Sequence, residues 1–99
     1  MKIAIASSGK DIKSKVSPIS GRAEFFLIFE GKKLVKTIKN PFLFGGGAGT
    51  SVAQMLCNEK VNLVVAGHFG DKMISALEKN KIKRKVMKDI SVSEAIKLI

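Results

Sequence analysis

The chain has 99 residues, carries a formal net charge of +10 and is 45% hydrophobic, a size that predicts a single domain over residues 1–99. Its one cysteine, Cys57, excludes an internal disulfide framework and points to a reduced compartment. No apolar run approaches the ~20 residues of a membrane span, and the opening apolar run breaks too soon, at Ser7, to act as a signal peptide, so a cytoplasmic protein is expected.

Residues 2–6 predict a short buried strand. Residues 7–23 are polar, contain Pro18 and Gly21, and read as a loop. Residues 25–30 predict a second strand, residues 31–32 a tight turn, and residues 33–39 a third strand, the two forming a hairpin that Asn40-Pro41 ends. A helix is expected from about Gly49 to Glu59, with Val52, Met55 and Leu56 on one face and Cys57 near its edge. Residues 63–66 are apolar throughout, as in a central strand. A second helix follows over residues 71–80, with Met73, Ala76 and Leu77 inward, then a fifth strand over residues 83–87. Ser91-Val92-Ser93-Glu94 fits a capping box and opens a last helix.

This order predicts an α/β fold with a mixed five-stranded sheet and helices packed on it. Lysines guard sheet edges, and they concentrate on the third strand (Lys33, Lys36, Lys39) and the fifth (Lys81, Lys83, Lys85). The first and fourth strands are therefore central, giving a strand order of 3-2-1-4-5 with the second strand antiparallel. If the first and fourth strands are parallel, three segments leave one end of the sheet: Ser7, Ser8 and their neighbours, the glycine turn at residues 45–50, and Gly67 to Gly70. Ligands of open sheets sit at the carboxyl ends of parallel strands, so one shared crevice with unpaired N–H groups is expected there.

The two glycine-rich turns each run into a helix. Helix starts carry unpaired N–H groups and partial positive charge, and glycine opens the backbone to a ligand. Gly46, Gly47 and Gly49 in one turn, and Gly67 and Gly70 in the other, are candidate ligand positions. A plain turn at residues 45–47 and close helix–sheet packing at Gly49 and Gly70 are the structural alternatives. His68, the one histidine, sits at a strand exit beside two glycines. It is either a polar ligand contact or an idle surface side chain. Carboxylates are scattered, and the glycine run lacks the Gly-Lys-Ser/Thr ending of a Walker A loop. Cys57 reads as a quiet, buried core residue. The composition does not point to catalysis.

The positive charge admits nucleic acid, anionic clusters or acidic proteins as partners. Lysine supplies nearly all of it, arginine being confined to Arg22 and Arg84, and tyrosine and tryptophan are absent. Base readout and base stacking draw on those residue types, so no specific nucleic acid and no membrane partner are expected.

Five stretches occur in a distinctive order. They are residues 1–6, the Val16-Ser17-Pro18-Ile19-Ser20-Gly21-Arg22-Ala23 run into Phe25-Phe26-Leu27-Ile28, Asn40-Pro41, the glycine run with Ala48-Gly49, and Val65-Ala66-Gly67-His68-Phe69-Gly70. Together they resemble the dinitrogenase iron-molybdenum cofactor biosynthesis family of the NifX/NifB C-terminal type, over nearly the whole chain. The resemblance implies a ribonuclease H-like fold. It also implies non-enzymatic binding or carriage of an anionic iron–sulfur or iron–molybdenum type cluster or precursor. Many members have a histidine and an aromatic residue before Gly-Arg-Ala, where this chain has Ile19-Ser20. The resulting expectation places Ser7, Ser8, Arg22 and His68 as side-chain contacts, and Gly46, Gly47, Gly49, Gly67 and Gly70 as backbone contacts. A basic regulatory module that binds another protein or nucleic acid is the alternative.

Overall fold

A computed structural model describes residues 1–43 and 48–99. The elements in chain order are β1 (Lys2–Ser7), β2 (Phe25–Glu30), β3 (Lys33–Lys39), α1 (Ala48–Asn58), β4 (Leu63–Ala66), α2 (Asp71–Lys79), β5 (Lys83–Val86) and α3 (Val92–Lys97). The strands form one sheet in the order β3-β2-β1-β4-β5. β2 runs antiparallel to both β1 and β3, while β4 is parallel to β1 and β5. The expected order and directions are therefore observed. Boundaries move by a residue or two, with β1 reaching Ser7 and β5 stopping at Val86.

Successive side chains of a strand face opposite sides, so a strand buried on both faces must be apolar throughout. β1, β2 and β4 meet that condition. Ala4, Ala6, Phe26, Ile28, Val64 and Ala66 pack with Val52 and Leu56 of α1 and with Met73 and Leu77 of α2. The alternate residues Ile3, Ile5, Leu27, Phe29 and Val65 pack with Val92, Ala95 and Ile96 of α3 and with Val16. Each large apolar side chain buried this way contributes roughly 1.5–3 kcal/mol. β3 and β5 are exposed along nearly their whole length, with lysines outermost. Lys36 does more than guard an edge: its ammonium lies 2.8 Å from the Glu59 carboxylate, at the end of α1.

The helix ends follow local chemistry. α1 and α2 are each followed by a lysine in the left-handed conformation, Lys60 (φ 64°) and Lys81 (φ 59°). The next N–H then returns to the helix, from Val61 to the Leu56 carbonyl (3.1 Å) and from Ile82 to the Leu77 carbonyl (2.9 Å). This is the geometry that glycine usually serves. At α3 the capping box forms as its sequence predicts: the Ser91 hydroxyl accepts from the Glu94 N–H, and the Glu94 carboxylate accepts from the Ser91 N–H. Cys57 is half-buried rather than buried, because it lies at the margin of the α1 stripe and packs against the core from its edge. Among the described residues, no helix is long and apolar enough to cross a membrane.

Candidate functional site

The carboxyl ends of β1 and β4 lie side by side, but the space between them is filled. β1 and β4 pair only as far as Ile5↔Val65. Beyond that point residues 16–20 insert. The Ser17 N–H donates to the Ala6 carbonyl (2.7 Å), and the Gly67 N–H donates to the Ser17 carbonyl (2.8 Å). One residue further along, the Ser20 N–H donates to the His68 carbonyl (3.0 Å). The chain itself has become the ligand of the expected crevice. Gly67 does not present a free N–H, which corrects the expectation of a bare backbone donor there. Its lack of a side chain admits Pro18 instead.

The inserted segment leaves a cleft on either side. The first, about 350 Å³, is lined by Lys15, Val16, Pro18, Gly67, His68, Lys88 and Asp89. The second, about 320 Å³, is lined by residues that include Ser20, Arg22, Gly49, Gly70, Asp71 and Lys72. The expected site residues are thus divided. Gly67 and His68 share one cleft, Arg22, Gly49 and Gly70 the other, and neither Ser7 nor Ser8 lines either. Gly46 and Gly47 lie outside the described residues.

The two serines serve the loop. Ser7 is fully buried, and its hydroxyl both donates to the Gly9 carbonyl (2.6 Å) and accepts from the Gly9 N–H. The Ser8 hydroxyl donates to the Lys15 carbonyl (3.2 Å). Arg22 donates from its guanidinium to the Leu43 carbonyl (2.9 Å), drawing the loop after β3 toward the second cleft. Asn40 fixes the same region. It is buried, its side-chain amide donates to the Gly21 and Ala23 carbonyls, and its side-chain oxygen accepts from the Phe42 N–H.

Gly49 and Gly70 differ in purpose. A Cβ at Gly49 would lie 3.1–3.3 Å from Met73 backbone and Cβ atoms, so the start of α1 rests against the first turn of α2. The alternative of close helix–sheet packing at Gly49 takes a different form, since the close contact is with a second helix, α2. Around Gly70 there is open space, so packing does not account for that glycine. It is the N-cap of α2 and offers no side chain to the helix's first N–H groups.

His68 is exposed, yet its neighbours are anchored: Gly67 by Ser17, and Phe69 by burial in the core. This fixes where the imidazole begins. Lys15 and Lys88 bring positive charge to the same cleft, and Asp89 offsets part of it. Asp89 is also in the left-handed conformation (φ 59°), here outside any helix C-terminus. Among the described residues, no three histidine, cysteine or acidic side chains gather as for a metal ion. One imidazole supplies one ligand.

Lys15, Lys88 and Asp89 were not among the expected contacts. The signal was present: β5 lies parallel beside β4, so the loop after β5 must leave at the His68 end. The Met87 N–H bonds the Ala66 carbonyl, and the Ile90 carbonyl accepts the Val16 N–H, which holds residues 88–89 over the cleft.

Solved structures share this fold. The apo form of the orange protein from Desulfovibrio gigas superposes with a TM-score of 0.91 at 25% identity, over 97% of this chain and 83% of that one. A protein from Thermotoga, described as a candidate NifB protein of the DUF35 family, gives 0.84 at 30% identity, over 97% and 84%. No curated protein matches the sequence closely. The profile of the family described as dinitrogenase iron-molybdenum cofactor matches residues 1–99, the whole of the fold and both clefts, and the chain belongs to that family.

Proposed function

We propose that this protein binds or carries an anionic iron–sulfur or iron–molybdenum type cluster, or a precursor of one, in the His68 cleft, without turning it over. The observation that carries the reading is His68 itself, the one imidazole of the chain, held between two anchored residues and flanked by two lysines. Family membership and the NifB-type neighbour support a cofactor-related role.

Each residue has a task on this reading. His68 donates a hydrogen bond to the cluster or ligates one iron. Lys15 and Lys88 offset anionic charge, and Asp89 limits how much charge is accepted. Pro18 and Val16 provide an apolar wall that keeps water from part of the cluster. Ser7, Ser8 and Gly67 hold the loop that forms the wall. Arg22, Gly49 and Gly70 line the neighbouring cleft and are not assigned to the cluster. The reading carries with it a ribonuclease H-like class, for which the strand order is support, and a cytoplasmic, non-membrane setting.

A second reading, a basic module that docks an acidic protein, has one observation in its favour: the exposed lysines of β3 and β5. Specific nucleic-acid binding is not part of either. Anaerobic purification followed by metal analysis and an absorption spectrum tests the proposal. Co-purifying iron or molybdenum with charge-transfer bands is expected. A protein that stays colourless and metal-free, even after incubation with clusters, contradicts it and favours the acidic-partner reading.

A further inference from the structure

We infer that the free edge of β5 docks an extended acidic segment of a partner protein, which adds to the sheet as a further strand. The partner is of the acidic kind considered above, and its docking does not depend on a cluster in the His68 cleft. β5 ends the sheet, and all of its residues are exposed. One row of its backbone groups is used: the Lys83 N–H donates to the Asn62 carbonyl (2.9 Å) and the Met87 N–H to the Ala66 carbonyl (3.0 Å). Backbone groups of a strand point to alternate sides, so those of Arg84 and Val86 point away from β4. Among the described residues the N–H groups of Arg84 and Val86 have no partner.

Every open sheet has edges, and charge decides what this one accepts. Residues 81–88 hold Lys81, Lys83, Arg84, Lys85 and Lys88 and no acidic residue. A second copy of β5 laid along the edge would set basic residues against basic residues, which is destabilising. An acidic strand meets the opposite condition. The other edge is less suited: β3 pairs with β2 through a register shift between Ile28 and Phe29, and Lys36 is engaged by Glu59. Bulges twist an edge away from pairing.

The two faces of β5 specify the pattern of the segment. Lys83 and Lys85 pair with Leu63 and Val65 and so share the α3 face, while Arg84 and Val86 pair with Val64 and Ala66 and share the α2 face. On the α2 face the Glu78 carboxylate already lies 3.6 Å from the Arg84 guanidinium. Val86 is 55% exposed there and lines a groove of about 540 Å³ with Glu78, Ile82, Lys83 and Arg84. An added strand with carboxylates on the face of Lys83 and Lys85, and an apolar side chain beside Val86, satisfies both faces. Backbone hydrogen bonds supply affinity in this mode, and the alternating side chains supply selection.

The test is a titration of the protein with a capped synthetic peptide of alternating Glu and Val, about six residues long, followed by amide shifts and hydrogen exchange. Saturable shifts at residues 83–87 and slowed exchange at the Arg84 and Val86 N–H groups are expected. The same peptide N-methylated at every residue keeps its charge but cannot donate, and should not bind. Lys83→Glu combined with Lys85→Glu, both at exposed side chains, should weaken binding roughly tenfold or more, with circular dichroism confirming the fold. His68→Ala should leave binding unchanged, which separates this edge from the cluster cleft. Equal binding of the N-methylated peptide overturns the inference, as do shifts spread evenly over the lysines of β3 and β5, loss of the response in His68→Ala, or no binding at all. A single-stranded oligouridylate that binds the same edge tenfold more tightly than the peptide overturns the assignment to a protein partner.

Discussion

Gly67 and Pro18 meet so closely that a Cβ at Gly67 would lie 2.8 Å from the Pro18 Cα and 3.1 Å from its carbonyl oxygen. That contact seats residues 16–20 between β1 and β4, and so divides one potential crevice into two clefts. Gly67→Ala must push backbone against backbone. It should destabilise the protein by about 1–3 kcal/mol in urea unfolding. Gly70→Ala, at a position with open space around it, should stay within about 1 kcal/mol.

Asn40 joins the end of the β2–β3 hairpin to the Arg22 loop through two side-chain hydrogen bonds, to the Gly21 and Ala23 carbonyls, and its side-chain oxygen accepts a third from the Phe42 N–H. Asn40→Leu removes them and leaves the Gly21 and Ala23 carbonyls to find other partners. Each buried polar group orphaned this way costs about 1–3 kcal/mol. A loss of roughly 2 kcal/mol or more in chemical denaturation is expected. The loop around Arg22 should loosen first, as faster amide exchange at residues 21–23.

Glu94 adds a pH dependence. Hydrogen bonds from the Ser91 backbone and side chain, with Lys15 and Lys97 nearby, hold its carboxyl below the usual value of 4.5. A carboxyl with a lowered folded-state value stabilises above its unfolded value and loses that contribution as the pH falls through the folded one. Protection of the α3 amides should therefore decline as the pH drops from about 5 to about 3, and Glu94→Gln should flatten that part of the profile. An unchanged profile in Glu94→Gln contradicts the capping-box account.

The fold was legible where local chemistry and global topology agree. Apolar β1 and β4 against lysine-bearing β3 and β5 identify centre and edge, because a strand buried on both faces cannot afford charge. Ser91 and Glu94 declare their helix start at fixed spacing. The site was legible only in part. Ser7, Ser8 and Gly67 look like ligand groups in sequence, since hydroxyls and bare backbone serve ligands and loops alike. Which they serve depends on Ser17 and Pro18 returning to the sheet, and no local pattern encodes that return. Lys88 and Asp89 form no motif of their own. Their place beside His68 follows from the parallel pairing of β5 with β4, a signal present in the expected strand order.

The central claim is that His68 holds an anionic cluster, and anaerobic titration of the apo-protein with a preassembled iron–sulfur or iron–molybdenum cluster tests it most directly. Wild type, His68→Ala and Lys88→Gln should be compared by absorption, with circular dichroism to confirm that all are folded. Saturable uptake by wild type is expected, weakened roughly tenfold or more by His68→Ala and by a smaller factor in Lys88→Gln. Equal affinity of folded wild type and His68→Ala would contradict the claim and remove His68 from the site.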